Sequence, residues 1–147
     1  MITRFNIRVY GILVHNGRVL VADERIKGAH ITKFPGGGLE FGEGTKDCLV
    51  REVREEIGVE ALDVTHFYTT DFFQESAFRK GDQIISLYYT FLVADPAAVP
   101  TSTEPFDFKR TDGDEEAFRW LDLSRARAED VTLPIDRVVL AMLLTKR

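Results

Sequence analysis

Between Pro35 and Gly58 the chain passes from a backbone built for close approach to a segment with two chemically opposite faces, and this stretch constrains the fold most. Pro35 is followed by Gly36-Gly37-Gly38, so the chain must turn sharply there and come near something that side chains would obstruct. Residues 31 to 41 read as a loop on that account. From Thr45, a good N-cap residue, the pattern turns helical as far as Ile57, and Gly58 stands where a left-handed residue would end it. The expected helix is Lys46 to Ile57. At roughly 100° per residue, Glu52, Glu55 and Glu56 fall within about a 100° arc, while Leu49, Val50, Val53 and Ile57 gather opposite. One face is suited to a core and the other is carboxylate.

Around this helix the pattern is mostly strand-like. Ile7 to Val14 and Val19 to Ala22 flank Asn16-Gly17, the signature of two strands joined by a type I′ hairpin turn. Further strands are expected at Val64 to Phe73 and Ile84 to Val93, with a turn between them, and a short one resumes at Phe118 to Leu121. Residues 95 to 116 hold three prolines and Asp112-Gly113-Asp114, and read as one long loop. Val138, Val139, Met142 and Leu143 recur at helical spacing after Pro134, which suits a first helical turn. No internal repeat or linker interrupts the chain. At 147 residues this predicts one domain, 1–147, of α/β class, with a mixed, mainly antiparallel sheet between the first helix and a C-terminal one.

Composition removes several classes. The net charge of -5 offers no bulk attraction to a long polyanion, so no stable nucleic-acid complex is expected. An acidic protein still binds a small polyphosphate if a divalent cation lies between its carboxylates and the phosphates. The single cysteine, Cys48, excludes a disulfide framework or a multi-cysteine zinc site and suits a reducing compartment. No apolar run approaches the roughly 20 residues of a membrane span, and the first residues lack an apolar signal core. A cytoplasmic location without membrane association is expected.

Like charges three or four apart on a helix cost roughly 0.2 to 0.5 kcal/mol per pair, so Glu52, Glu55 and Glu56 need a compensating reason. A bound Mg²⁺, with Mn²⁺ as a possible substitute, supplies one, because both prefer hard oxygen ligands. Taken alone, Arg51 to Glu56 would read as a solvated helical face. The glycines alter that reading. Gly37, five residues, Glu43, seven residues, then Arg51-Glu52-Val53-x-Glu55-Glu56-x-Gly58-Val59 fills every fixed position of the box that defines the Nudix family. A chance match in a chain this long is on the order of one in tens of millions.

Over residues 37 to 59 the chain therefore resembles MutT-type Nudix hydrolases, and the resemblance implies a loop-helix-loop with an α/β/α sandwich around it. It implies that Glu52, Glu55 and Glu56 bind metal and activate water, with the Gly37 carbonyl as a possible further ligand. Glu52 is the first choice as general base; Glu55 and an acidic loop residue remain open. Arg51 would orient the glutamates and Glu43 would brace the loop. A further acid is sought in the acidic stretch before Trp120, at Glu115 or Glu116.

Other candidates carry less. Cys48 lies toward the carboxylate side by angle, but it has no identifiable partner histidine, and acidic neighbours would raise its pKa. His15, His30 and His66 show no ligand spacing, and the glycine triplet is not followed by the Gly-Lys-Ser/Thr of a Walker loop. Arg25, Lys27, Lys33, Arg79 and Lys80 are placed to meet phosphates but read mainly as solvated charges. Tyr68, Phe72, Phe73, Phe78, Tyr88 and Tyr89 read mainly as core. The expected activity is Mg²⁺-dependent hydrolysis of a nucleoside diphosphate linked to another group, first of all nucleoside triphosphates to monophosphate and pyrophosphate. Nucleotide sugars or dinucleotides are the alternative, and a non-catalytic nucleotide sensor is disfavoured by the complete box. In this family, substrate class is sometimes marked by a Pro or Tyr about 16 to 18 residues past the box; Glu75, Ser76 and Ala77 stand there and lend no support to ADP-ribose or diadenosine polyphosphates. Short Nudix chains often pair, so a homodimer is a further expectation.

Overall fold

The structure, a computed structural model, describes residues 1–146. The chain divides into two compact units, one of residues 1–12 with 35–94 and the other of residues 13–34 with the chain from Asp95 onward. Among the described residues, no helix is long and apolar enough to cross a membrane.

The first unit is built on a mixed four-stranded sheet, in the order β5 (Gly36–Gly38), β1 (Arg4–Ile12), β7 (Asp82–Leu92) and β6 (Leu62–Thr69). Strand β1 runs parallel to β7, Arg4 opposite Asp82 and Ile12 opposite Thr90. Its other side pairs antiparallel with β5, and β6 closes the far edge against β7. Helix α1 (Thr45–Ile57) packs against β5, β1 and β7 through Cys48, Leu49, Val53 and Ile57. Strand β1 lets it in closely: a Cβ on Gly11 would lie 2.6 Å from the Phe91 ring and 2.9 Å from Leu49. Burying side chains of this kind contributes roughly 1.5 to 3 kcal/mol each, several times the repulsion among the glutamates on the other face.

The second unit is an antiparallel sheet centred on β3 (Arg18–Ile26), which pairs with β2 (Val14–His15), β4 (Ala29–Lys33) and β8 (Glu115–Asp122). Asn16 and Gly17 both have positive φ, 53° and 72°, as a type I′ turn requires. Helix α2 (Pro134–Thr145) begins at a proline and buries Ile135, Val139, Leu140 and Leu143. Buried Asp23 ties the long loop to the sheet. It accepts hydrogen bonds from Arg119 (2.6 and 3.2 Å), Thr32 Oγ1 (2.7 Å) and the Phe106 amide (3.1 Å).

The α/β class and the two helices match expectation, and several local assignments are corrected. The hairpin joins β3 only to the two-residue β2, because β1 leaves that partner at Ile12 and pairs in the other sheet. The segment 31–41 is not all loop: it holds the end of β4 and all of β5. Thr45 is the first helical residue and not the cap. Gly44 caps α1, its amide donating to Asp47 Oδ2 at 3.3 Å, while the Thr45 hydroxyl lies 2.5 Å from Tyr89 Oη. Gly58 ends the helix at φ 79°, its amide donating to Val53 and Arg54 carbonyls. Glu115 and Glu116 sit on β8 rather than in the loop.

Candidate active site

The short β5 exists because its glycines let backbone and side chain approach without obstruction. At Gly36, φ is 148° and a Cβ would sit 2.1 Å from the Val9 carbonyl oxygen, so the position admits only glycine. At Gly37 the obstructing group is a functional one. A Cβ there would lie 2.3 Å from Glu52 Oε2 and 2.7 Å from Oε1, so the Glu52 carboxylate rests directly against the glycine backbone. The helix delivers Glu52 to that spot while Val53, its neighbour, is buried in the core.

Arg51 gathers the acids around this point. Its Nε and Nη2 donate to the two oxygens of Glu43 at 2.9 and 2.8 Å, a bidentate pair. Nη2 also donates to the Gly38 carbonyl at 3.1 Å. Nη1 donates to Glu52 Oε2 at 3.3 Å and Glu55 Oε2 at 3.2 Å, and lies 3.5 Å from Glu40 Oε1. Glu43 in turn accepts the Glu40 amide at 2.9 Å, which closes the loop Glu40–Glu43 on itself. The Arg51 guanidinium, chiefly by direct hydrogen bonding, holds the Glu43 carboxyl down at about 2, and the same contact raises the pKa of Arg51. Glu40 occupies no fixed position of the box; only the loop geometry brings it to Arg51.

Cys48 is fully buried beside this network, 3.6 Å from the Gly38 carbonyl. Burial first, then the hydrogen bond to Glu43, pushes its thiol up to about 12, which leaves no thiolate at neutral pH. The expectation that acidic neighbours raise it holds, with desolvation the larger cause.

The other candidates are differently engaged. Glu115 accepts the Lys109 and Arg110 amides at 2.6 and 3.0 Å, and these bonds, the Lys109 one first, lower its pKa. Glu116 lies 3.7 Å from Lys33 Nζ, which is buried and also 3.4 Å from Glu24. Lys33 is therefore a buried ion-paired lysine, not a solvated one. Arg25 is committed to the loop, donating to the carbonyls of Gly113, Asp112 and Arg110 and stacking over Phe108 at 4.9 Å. Tyr88 and Tyr89 are core, whereas Phe72, Phe73 and Phe78 are exposed.

Among the described residues, no three His, Cys, Asp or Glu side chains stand close enough together to form a ready-made metal cage. The donor chemistry nonetheless fits a hard cation: Glu52, Glu55 and Glu56 offer carboxylate oxygens one helical turn apart, and Glu52 already touches a glycine backbone. Arg51, whose Nη1 lies between Glu52 and Glu55, holds two of the three in line.

Comparison with known proteins identifies the family. The family model described as NUDIX domain matches residues 4–143, and the chain belongs to the Nudix family. It is similar to Nudix hydrolase 2 of Arabidopsis thaliana, 42% identical over 72 residues that cover 47% of this chain and 23% of that protein. It is also similar to the RNA pyrophosphohydrolase of Tolumonas auensis, 42% identical over 62 residues, 41% of this chain and 34% of that one. The chain thus spans about a quarter to a third of the length of these curated relatives. Among solved structures, the MutT NUDIX hydrolase from Burkholderia pseudomallei superposes with a TM-score of 0.69 at 20% identity, covering 95% of this chain and 98% of that one. A NUDIX hydrolase from Nitrosomonas europaea gives 0.66 at 22% identity, covering 94% and 88%. These establish the Nudix α/β sandwich as the fold.

Proposed function

We propose that the chain is a Mg²⁺-dependent pyrophosphohydrolase acting on a nucleoside diphosphate linked to a further group, with nucleoside triphosphates as the first substrate class. The observation that carries this reading is the Glu52 carboxylate held between the Gly37 backbone and Arg51, with Glu55 on the same guanidinium. Glu52, Glu55 and Glu56 would hold the cation, with the Gly37 carbonyl beside them. A divalent ion held there would polarise phosphoryl oxygens and lower the pKa of a water. Glu52 takes the proton of the attacking water, and the oxygen forms its bond to phosphorus as the bridging oxygen leaves on pyrophosphate. Nucleoside triphosphate and water thus give monophosphate and pyrophosphate, without a covalent enzyme intermediate.

Arg51 orients Glu52 and Glu55, and Glu43 fixes Arg51 by the bidentate contact. The names of the relatives support cleavage of a pyrophosphate bond. Glu115 stays the candidate for a further acid, although its two backbone hydrogen bonds favour a loop-holding role. The proposal includes both units as one Nudix domain, supported by a family match that runs through both. It also includes a cytoplasmic location, a small nucleotide as the partner without stable nucleic-acid or membrane binding, and pairing of two copies. The deciding experiment is phosphate release, coupled through pyrophosphatase, across nucleoside triphosphates, nucleotide sugars and dinucleoside polyphosphates in Mg²⁺ and Mn²⁺. Metal-dependent release from triphosphates is expected, and silence of the folded protein on the whole panel would refute the reading.

A further inference from the structure

The face of the first unit's sheet that carries α1 is covered at one end only. Successive strand residues point to opposite faces, so Phe5, Ile7, Val9 and Gly11 of β1 share one face, the one that Gly11 turns toward Leu49 of α1. The parallel register sets Ile85 and Leu87 of β7 opposite Ile7 and Val9 on that face. Beneath the helix the row is dry, and Val9 is fully buried. Toward the start of β1 it is not: Ile7 is 38% exposed, Phe5 is 64% exposed, and Ile85 and Leu87 are half-buried. Phe41 adds to the open end. It is fully exposed, and its chain is tied to β1 by the Leu39 amide, which donates to the Ile7 carbonyl at 3.0 Å. Phe5, Ile7 and Phe41 line one cleft of about 370 Å³.

An apolar sheet face is stable when another layer packs on it, and among the described residues none packs on this end. The size and charge of the patch decide what fits it. Taking about 200 Å² for a fully exposed phenylalanine, Phe5, Phe41 and Ile7 leave roughly 400 Å² of apolar surface in water. A stable interface takes about 800 Å² from each partner, a little over half of it apolar, so this patch supplies the apolar share of one such interface. Both signs of charge flank it. Glu40 lines the same cleft, and its 3.5 Å contact with Arg51 leaves 67% of its side chain exposed. Arg79 also lines the cleft, is exposed, and makes no side-chain ion pair among the described residues. A partner of one charge sign would be repelled by one of these two groups. A second copy turned about a two-fold axis instead sets each Arg79 against the other copy's Glu40.

We infer that this face is the surface on which two copies of the chain pair, with Phe5 and Phe41 packing across a two-fold axis and Arg79 of each copy meeting Glu40 of the other. This surface locates the pairing of copies proposed above and rests on that pairing, but not on hydrolysis.

Sedimentation velocity of the full chain over a concentration series, without nucleotide or metal, tests it. A reversible shift from the 16.7 kDa chain toward twice that mass is expected. Phe5→Glu and Phe41→Glu each bring two like charges together beside the axis and should weaken pairing at least about tenfold. Phe41→Ser, which adds no charge, should weaken it severalfold. Both positions are largely exposed, so all three variants should keep the wild-type circular dichroism spectrum. Arg79→Glu should weaken pairing about tenfold, and adding Glu40→Lys to it should restore most of the loss, because the opposite charges then meet again. A folded monomer at every concentration overturns the pairing and its surface together and assigns the face to a partner of other chemistry. A dimer that the phenylalanine substitutions leave at wild-type strength overturns the surface alone. Failure of Glu40→Lys to restore Arg79→Glu overturns the charge contact. Association is read without turnover, so a protein that pairs but does not hydrolyse refutes the hydrolase alone.

Discussion

Gly36 and Gly37 are adjacent in β5, yet an alanine at each should fail in opposite ways. At Gly37 the added Cβ meets Glu52 Oε2 at 2.3 Å, whereas ordinary van der Waals contact begins at 3.4 Å. The Glu52 carboxylate must therefore retreat by roughly 1 Å, and a misplacement of that size costs about 100-fold in turnover. The backbone has no reason to object, since Gly37 is not among the residues of positive φ. Losing the Arg51–Glu52 contact costs about 0 to 1 kcal/mol, and the stiffer unfolded chain returns about 0.4 to 1 kcal/mol, so Gly37→Ala should melt within a few degrees of wild type. At Gly36 the Cβ meets backbone instead, 2.1 Å from the Val9 oxygen and 2.7 Å from Tyr10 Cα, at a φ of 148°. Nothing there can swing aside. Gly36→Ala should lose more than about 3 kcal/mol, because strain adds to separation of β5 from β1. Urea melts by circular dichroism and pyrophosphate release in Mg²⁺ measure the two quantities separately. Full activity in a folded Gly37→Ala protein would show that the resting position of Glu52 is not its working position.

Other consequences follow from the same contacts. Glu52→Gln and Glu56→Gln should each lower turnover by about two orders of magnitude or more with the fold intact, and normal activity in both would remove the metal-site assignment. Glu43 has a folded pKa of about 2 against an ordinary 4.5, so its contribution to stability is present above pH 4.5 and is lost as the pH falls toward 2. Urea midpoints should show Glu43→Gln differing from wild type at pH 6 and converging with it near pH 2. Cys48, raised to about 12, should resist alkylation in the native protein at pH 8 and react on unfolding; rapid native labelling would contradict its burial. Asp23→Ala should cost about 3 to 5 kcal/mol by stranding the Arg119 charge, and should speed hydrogen exchange of the Phe106 amide, which Asp23 now accepts.

How much of this was legible in the sequence depends on the range over which each feature is specified. Helix α1 was readable to within a residue at its start, because its apolar face, its terminating Gly58 and its carboxylate face are all local. The Asn16-Gly17 turn was readable for the same reason. Strand partnership was not. The nine-residue parallel pairing of β1 with β7 joins residues some 78 positions apart, as Arg4 and Asp82 are, and no local pattern distinguishes it from a hairpin. Strand β5 was hidden by its composition, since three glycines read as a turn until β1 is seen to supply the partner. The site divides along the same line. Its ligand types follow from the box spacing, but the crowding of Glu52 on Gly37 and the capture of Glu40 by Arg51 arise only when β5 is laid against β1 and α1 is packed over both.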